Sequence, residues 1–146
     1  TAAGGSFVTL FLLEVDPAVG RLEWVRAGHD PGLLYRVQTD ACEELGGPGM
    51  ALGVDEAFRY TDRARAGFAA ADIVLISTDG VWETQNPEGK TFGKARVAEV
   101  VRAHRDQPAE RIVSEVLEAL GRFRGRAAQE DDITLVVIKA VPVQGS

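Results

Sequence analysis

The chain has 146 residues and a mass of 15.7 kDa, which corresponds to one domain with enough residues to bury a core. Hydrophobic residues make up 45% and charged residues 26%, which is typical of a folded globular protein, and no apolar run approaches the roughly 20 residues of a membrane span. The net charge of −6 argues against a general nucleic-acid binder, because neutralising phosphates requires a cationic face.

The N-terminal part of the sequence predicts a series of short strands. Residues 6–15 are rich in β-formers and stop at the Pro- and Gly-containing turn of residues 16–20, and residues 21–27 then alternate between apolar and polar. Two strands joined by five residues indicate a hairpin. Residues 33–38 predict a third strand and residues 42–45 a short fourth.

The middle of the chain opens with the strongest breaker in the sequence, the Gly-Gly-Pro-Gly segment of residues 46–49. We interpret it as a loop and not as a domain linker, because neither side is long enough for a typical independent domain. Residues 58–65 alternate only weakly. Residues 71–77 contain four consecutive aliphatic residues, which predicts a strand buried on both faces.

Two helices and a closing strand follow. Val97, Val100, Val101 and His104 recur at helical spacing, and residues 112–120 carry a second apolar stripe, with Pro108 expected at its first helical position. Residues 133–140 are rich in Ile, Thr, Leu and Val, as a final strand requires. The order of elements predicts an α+β domain with a mostly antiparallel sheet.

The cysteine content bears on the cellular compartment. Cys42 is the only cysteine, so no internal disulfide can form. This and the lack of a signal-peptide pattern at the start of the sequence suit a cytoplasmic protein.

Two acidic sites stand out because each lies at the end of an apolar strand. Asp79 and Gly80 follow residues 73–77, and Asp131 and Asp132 precede the final strand. If the two strands are neighbours, these carboxylates converge at one rim, where oxygen ligands would suit Mg²⁺ or Mn²⁺. The alternative is that Asp-Gly is ordinary turn chemistry and that the later pair is a solvated edge.

An ordered set of motifs resembles the metal-dependent protein phosphatases, the type 2C or PPM family, and within it the bacterial SpoIIE/RsbU branch. The resemblance runs from about Phe7 to Ile138. The motifs are Phe7-Val8-Thr9-Leu10-Phe11, Asp16-Pro17, Gly20-Arg21-Leu22, Ala27-Gly28-His29-Asp30-Pro31, Leu52-Gly53-Val54-Asp55, Ser77-Thr78-Asp79-Gly80-Val81-Trp82-Glu83, Asn86-Pro87-Glu88-Gly89, Phe92-Gly93 and Asp131-Asp132-Ile133-Thr134-Leu135-Val136-Val137.

The resemblance implies a sandwich of two antiparallel sheets flanked by helices, with a two-metal centre of Mn²⁺ or Mg²⁺ that activates a water for attack on phosphoserine or phosphothreonine. It implies that Asp79 and Asp131 are metal ligands and the catalytic carboxylates. Asp132 is the alternative ligand or a supporting neighbour, and Gly80 completes the predicted metal site.

One motif of the family has no counterpart in the 146 residues. The family carries an Asp-containing segment that ends in Gly-His-Gly, and here only six residues precede Phe7. We therefore expect one truncated domain over residues 1–146, with the N-terminal portion of the fold missing and the two-metal centre incomplete. An uncovered sheet edge would then expose apolar surface and favour self-association.

The branch also implies a partner. Its usual substrate is a phosphorylated anti-anti-sigma (STAS-type) protein, and its members dimerise, so a homodimer is expected, with no nucleic acid and no membrane. The competing hypothesis is a non-catalytic scaffold or inactive fragment that binds a partner. His29 is a candidate general acid but fits a packing or turn role better, residues 122–126 are a candidate phosphate contact, and residues 83–89 a candidate flap.

Overall fold

The computed structural model describes residues 5–129 and 132–142. By its internal contacts the chain divides into two compact units, the first made of residues 1–31 and 44–69 and the second of residues 32–43 and 70–146. The strands and helices are, in chain order, β1 (Leu10–Asp16), β2 (Arg21–Ala27), β3 (Gly32–Arg36), β4 (Ala41–Leu45), β5 (Arg63–Arg65), β6 (Ile73–Ser77), α1 (Lys94–Ala103), α2 (Ala109–Arg124) and β7 (Leu135–Lys139).

The first unit contains a three-stranded antiparallel sheet in the order β1-β2-β5. The predicted hairpin is confirmed, with Leu10 opposite Ala27 and Asp16 opposite Arg21. Its turn closes at Gly20, which has a φ of +65°, and an ideal Cβ there would lie 2.8 Å from the carbonyl oxygen of Phe68. Only glycine fits this combination of left-handed backbone and close contact.

Two further predictions for the first unit can be compared with the structure. Residues 46–49 form a loop, as expected, and the loop carbonyl of Gly46 accepts a hydrogen bond of 2.9 Å from the indole of Trp24. The weakly alternating segment of residues 58–65 yields only the short strand β5. The remainder of that segment lacks the regular alternation that a longer strand requires.

The second unit contains a four-stranded sheet in the order β4-β3-β6-β7. The β3–β6 and β6–β7 pairs are antiparallel. β6 is the most deeply buried strand, as its aliphatic run predicts. β7 is shorter than the predicted residues 133–140 by about two residues at its start.

Both helices pack within the second unit and supply its core. α1 contacts β3 and α2 contacts β7, and the helices contact each other. The largest members of the core come from both helices and from the sheet, among them Tyr35, Ile73, Leu75, Ile112 and Leu120. The apolar stripes of the two helices therefore face the sheet as predicted.

The helix ends differ slightly from the prediction. Pro108 is the N-cap of α2, with φ −61° and ψ 156°, one residue before the expected position. The residue before a helix keeps extended backbone, which proline adopts readily. His104 caps the C-terminus of α1 and so lies just outside the helix.

The architecture confirms the predicted fold class, since antiparallel sheets and two helices make an α+β protein. The predicted single domain over residues 1–146 stays a prediction. No helix among residues 5–129 and 132–142 has the length and apolarity needed to cross a membrane. Cys42 is a free, half-buried thiol, as its solitary occurrence requires.

Candidate functional site

The candidate site lies at the rim where β6 ends and β7 begins. Ser77 is paired with Leu135 in an antiparallel register, so the chain leaving β6 and the chain entering β7 meet at the same edge of the sheet. The sequence left open whether these two strands are neighbours, and the structure shows that they are. Asp79 follows the first of them and Asp132 precedes the second, and both residues are exposed.

Thr78 joins the two sides of this rim. Its backbone N–H donates to the carbonyl of Thr134 at 3.0 Å, and its hydroxyl oxygen accepts from the backbone N–H of Thr134 at 3.1 Å. The same hydroxyl donates to the carbonyl oxygen of Asp132 at 3.4 Å. These bonds fix the backbone on both sides of the position from which Asp79 projects. The sequence reasoning missed Thr78, and the available signal was a small hydroxyl residue directly before Asp-Gly at a strand end.

Gly80 is required by a close approach between the two segments. An ideal Cβ at this position would lie 2.6 Å from the carbonyl oxygen of Asp132, closer than real Cβ contacts come. The carbonyl oxygen of Gly80 accepts a 2.7 Å hydrogen bond from the hydroxyl of Thr84. One lone pair of that carbonyl is therefore engaged within the protein, and one remains for another donor or a cation.

The predicted metal ligands can now be placed. Asp79 and Asp132 lie at the two sides of the rim, whereas Asp131 falls outside the described residues. Among residues 5–129 and 132–142, no three His, Cys, Asp or Glu side chains are grouped closely enough to hold a metal ion. The described carboxylates and the Gly80 carbonyl are hard oxygen donors, which fit Mg²⁺ or Mn²⁺, although the described donors do not complete a coordination sphere.

Ser77 contributes an unusual buried group directly below the rim. Its side chain is buried, with 3% of the residue exposed, and its hydroxyl has no hydrogen-bond partner within the described part of the chain. Buried hydroxyls are normally bonded to protein or to ordered water. Ser77 is therefore an exception to this pattern within the described part of the chain.

A polar cavity of about 230 Å³ opens beside the rim, within the second unit. Arg124, on the last turn of α2, donates to the side-chain oxygen of Gln129 at 3.1 Å. The candidate phosphate-contacting run of residues 122–126 thus contributes one residue to the cavity. The lining is formed by Gly80, Glu83, Thr84, Gln85, Arg124, Ala128 and Gln129.

The predicted flap of residues 83–89 contains an ordered turn. The side-chain oxygen of Asn86 accepts from the backbone N–H groups of Glu88 at 3.1 Å and Lys90 at 2.8 Å. An isolated bridge between Gln85 and Thr91 closes the base of the turn. The turn is confirmed, and movement of it as a flap stays a prediction.

The two histidines make contacts within their own units. His29 belongs to the first unit, where its Nδ1 lies 2.9 Å from the carbonyl of Asp30 and its ring meets Phe11 edge-on at 6.0 Å. His104 lies 3.3 Å from Glu115, which also pairs with Arg111. These are the contacts of a turn residue and of a residue at a helix end, and the turn or packing role of His29 is the one that its sequence context favours.

Three side chains at or beside the turn between β3 and β4 have shifted pKa values. The hydrogen bond from the Tyr35 hydroxyl, followed by the nearby Arg102 guanidinium, lowers the pKa of Asp40 from its ordinary value. Burial and the same Asp40 raise the pKa of Tyr35. Burial raises the pKa of Cys42, which makes this thiol a poor nucleophile.

Comparison with known proteins places this geometry in a family. The family model for stage II sporulation protein E (SpoIIE) matches residues 1–141. The phosphoserine phosphatase RsbU of Bacillus subtilis (strain 168) is 22% identical over 133 residues, which are 91% of this chain and 39% of RsbU.

Solved structures show the same fold. The SiaA PP2C domain of Pseudomonas aeruginosa has a TM-score of 0.77 and 24% identity, covering 90% of this chain and 51% of that one. The phosphatase domain of the cell fate determinant SpoIIE from Bacillus subtilis, presoaked with Mn, has a TM-score of 0.73 and 17% identity, covering 94% and 59%. The chain therefore spans two fifths of that RsbU and about half to three fifths of these domains. It belongs to the SpoIIE family, the SpoIIE/RsbU type of PPM/PP2C phosphatase.

Proposed function

We propose that this chain forms part of a metal-dependent protein serine/threonine phosphatase that hydrolyses phosphoserine or phosphothreonine on a regulatory protein. The observation that carries the proposal is the rim itself. Thr78 bonds both to Thr134 and to Asp132, so the segment with Asp79 and the segment with Asp132 meet at one edge. Membership in a phosphatase family supports the same reaction class.

The residues of this chain have distinct parts in that proposal. Asp79 and Asp131 are the proposed metal ligands, with Asp132 as the alternative and the Gly80 carbonyl as a further oxygen donor. Mn²⁺ or Mg²⁺ bound there supplies Lewis acidity and a water of lowered pKa. Thr78 and Thr84 hold the backbone of this rim, so that the carboxylates are positioned before any ion arrives.

The proposed substrate is a phosphorylated STAS-type anti-anti-sigma protein in the cytoplasm. One relative carries the name phosphoserine phosphatase, and one solved structure of the same fold, at 22% identity, contains the RsbU and RsbW domains of Rv1364c from Mycobacterium tuberculosis. Association of this chain as a homodimer belongs to the same proposal. The exposed apolar residues of β1 supply surface for it.

A second candidate function is a non-catalytic scaffold that binds a partner. It is favoured by one observation, namely that residues 5–129 and 132–142 provide fewer grouped donors than a metal site needs. The two functions differ in whether the rim hydrolyses a phosphate ester when Mn²⁺ is supplied. Hydrolysis and metal binding therefore have to be measured together.

The experiment follows hydrolysis of p-nitrophenyl phosphate in Mn²⁺, with Mn²⁺ binding measured by electron paramagnetic resonance. It uses the 146-residue chain and the same chain preceded by any residues encoded upstream of Thr1. We expect Asp79→Asn to reduce turnover at least about 100-fold while the folded circular dichroism spectrum is kept. Asp131→Asn should reduce turnover as much as Asp79→Asn does. If Asp131 is the ligand, Asp132→Asn should reduce turnover less.

Asp106→Asn is the matched control, because Asp106 is an exposed carboxylate of the same unit in the turn between the helices. Turnover by the unaltered protein that survives Asp79→Asn would refute the assignment of Asp79. Mn²⁺ binding without turnover, or neither in any form, would support the scaffold.

A further inference from the structure

The cavity beside the rim is continuous with the proposed site but is not explained by it. Gly80 links the cavity to the rim, because it lines the cavity and directly follows Asp79. The turn after β6 provides one wall, through Glu83, Thr84 and Gln85. The end of α2 and the residues after it provide the other wall. A group bound in this cavity would therefore lie next to a phosphoryl group held at the rim.

Arg124 is the cationic residue of this lining. It is half-buried at the C-terminal turn of α2, where the helix dipole favours a positive charge. A guanidinium has five N–H donors, of which one binds the Gln129 side chain. Arg124 lines the cavity, and a guanidinium can bind a carboxylate through two parallel hydrogen bonds.

The rest of the lining offers neutral hydrogen-bonding groups. The Thr84 hydroxyl donates its proton to the Gly80 carbonyl and keeps lone pairs that accept, and the Gln85 side-chain amide can both donate and accept. These groups match the N–H and C=O groups of a peptide backbone. The cavity, at about 230 Å³, is also smaller than the roughly 300–1,000 Å³ typical of pockets for drug-sized ligands and cofactors. These features fit a short stretch of extended peptide.

We propose that this cavity is a peptide subsite that binds the residues flanking the phosphoserine of the substrate protein, with Arg124 pairing with an acidic side chain there. The inference rests on the proposed function, because a phosphoprotein substrate is what brings such a segment to the rim. It assigns to Arg124 a role in choosing substrates, separate from the chemistry at Asp79.

The test compares two fluorescein-labelled phosphoserine peptides that differ only at the residues on either side of the phosphoserine, Glu in one and Gln in the other. Binding to the 146-residue chain is measured by fluorescence anisotropy with EDTA present, so that no hydrolysis interferes. We expect the Glu peptide to bind more tightly, and Arg124→Gln to weaken it by about tenfold or more while changing the Gln peptide little. Arg124→Lys should retain part of the preference, because lysine keeps the positive charge but lacks the two parallel N–H donors of the guanidinium.

Arg122→Gln is the matched control. Arg122 lies on the same last turn of α2, is exposed, and pairs with Glu118 at 3.8 Å outside the cavity. It removes the same charge from the same helix end, so it should leave both affinities unchanged. Equal weakening by the two variants, equal weakening of both peptides by Arg124→Gln, or no binding of either peptide would each overturn the subsite.

The same measurements separate this proposal from the phosphatase assignment. If neither the chain nor its form with the upstream residues shows Mn²⁺-dependent hydrolysis but the Glu-peptide preference depends on Arg124, the phosphatase proposal fails and the subsite stands. If hydrolysis requires Asp79 but the peptide preference is absent, the subsite fails and the phosphatase proposal stands. Melting temperatures of the variants confirm that each comparison is made between folded proteins.

Discussion

The sheets of the two units come from similarly β-rich sequence but differ in how their strands are covered. β1, at the edge of the three-stranded sheet, alternates between exposed and half-buried residues, with Leu10 and Leu12 exposed by 45% and 59%. β6, inside the four-stranded sheet, is almost wholly buried. The second unit has two amphipathic helices that pack on its own sheet, whereas the described part of the first unit has none. Hydrophobic sequence alone therefore does not determine burial.

The largest expected effect comes from truncating an aliphatic side chain of the same size in each unit. Ile112 is fully buried in the helix–sheet core, so Ile112→Ala should lower the free energy of unfolding by about 2–5 kcal/mol. Leu12→Ala, on the exposed face of β1, should change it by less than about 0.5 kcal/mol. Urea denaturation of both variants measures the contrast. Equal losses would mean that Leu12 is covered in solution, as in a self-associated form.

Adding a methyl group at a glycine that lies against another backbone segment should lower the free energy of unfolding in both units. The truncation of an aliphatic side chain, by contrast, should lower it in only one of them. Gly80→Ala should cost about 1–3 kcal/mol of unfolding free energy, because its Cβ would meet the Asp132 carbonyl. Gly20→Ala should cost a similar amount through the Phe68 carbonyl and its left-handed φ.

Gly121→Ala is the control for these glycine variants. Gly121 lies within α2 with nothing within 4 Å of its added Cβ, so the variant should gain about 0.5–1 kcal/mol from helix propensity. A neutral result for Gly80→Ala in denaturant titrations would show that the rim can relax, and would weaken its description as preorganised.

The turn between β3 and β4 predicts a pH-dependent contribution within the second unit. The pKa of Asp40 is lowered in the folded state, chiefly by the Tyr35 hydroxyl, so its stabilisation is present above the unfolded pKa near 3.8 and is lost as pH falls through the folded pKa. Asp40→Asn, which tolerates the positive φ of this position, should therefore be less stable than the unaltered chain near neutral pH.

This difference in stability should shrink in acid, as measured by thermal unfolding from pH 7 down to pH 3. Tyr35→Phe serves as the background control, because without its hydroxyl the effect of Asp40→Asn should decrease. A difference that stays constant across this pH range would show that the charge of Asp40 is not its source.

The smallest expected effect separates two neighbouring hydroxyls at the rim. Ser77→Ala removes a buried hydroxyl without a described partner and should be neutral or slightly stabilising. Thr78→Ala removes a hydroxyl bonded to Thr134 and Asp132 and should cost about 1 kcal/mol. Thermal unfolding compares them, and a larger loss for Ser77→Ala would reveal a bound water or ligand that satisfies its hydroxyl.

The sequence was most informative where the periodicity of apolar residues and the position of Gly or Pro indicate the same element. The hairpin of β1 and β2, the apolar β6 and both helices follow from alternation, helical spacing, and Gly or Pro at the ends. The sequence analysis made the shared rim conditional on β6 and β7 being neighbours, and the structure meets that condition. Asp79, Gly80 and Asp132 were all identified from their position at strand ends, and their roles at a metal stay predictions.

What the sequence did not show depends on contacts between distant residues. Thr78 reads as one of many threonines until β7 is placed opposite it. Arg122 and Arg124 are both arginines of the last turn of α2, and the sequence does not distinguish them. In the structure the end of α2 packs beside the turn after β6, and there Arg124 lines the cavity whereas Arg122 pairs with Glu118. The weak alternation of residues 58–65 did not indicate the short strand that the structure shows at Arg63–Arg65.

The pairing of Ser77 with Leu135 has a consequence for folding kinetics. Both helices lie between these two partners, so the β6–β7 ladder closes a long loop, and closing it costs chain entropy that local helix formation does not. Pairings of high sequence separation form late in small proteins. The helices and the β1–β2 hairpin can thus be in place while the rim is still open, and ordering of the segment around Asp79 should coincide with the final, rate-limiting step of refolding.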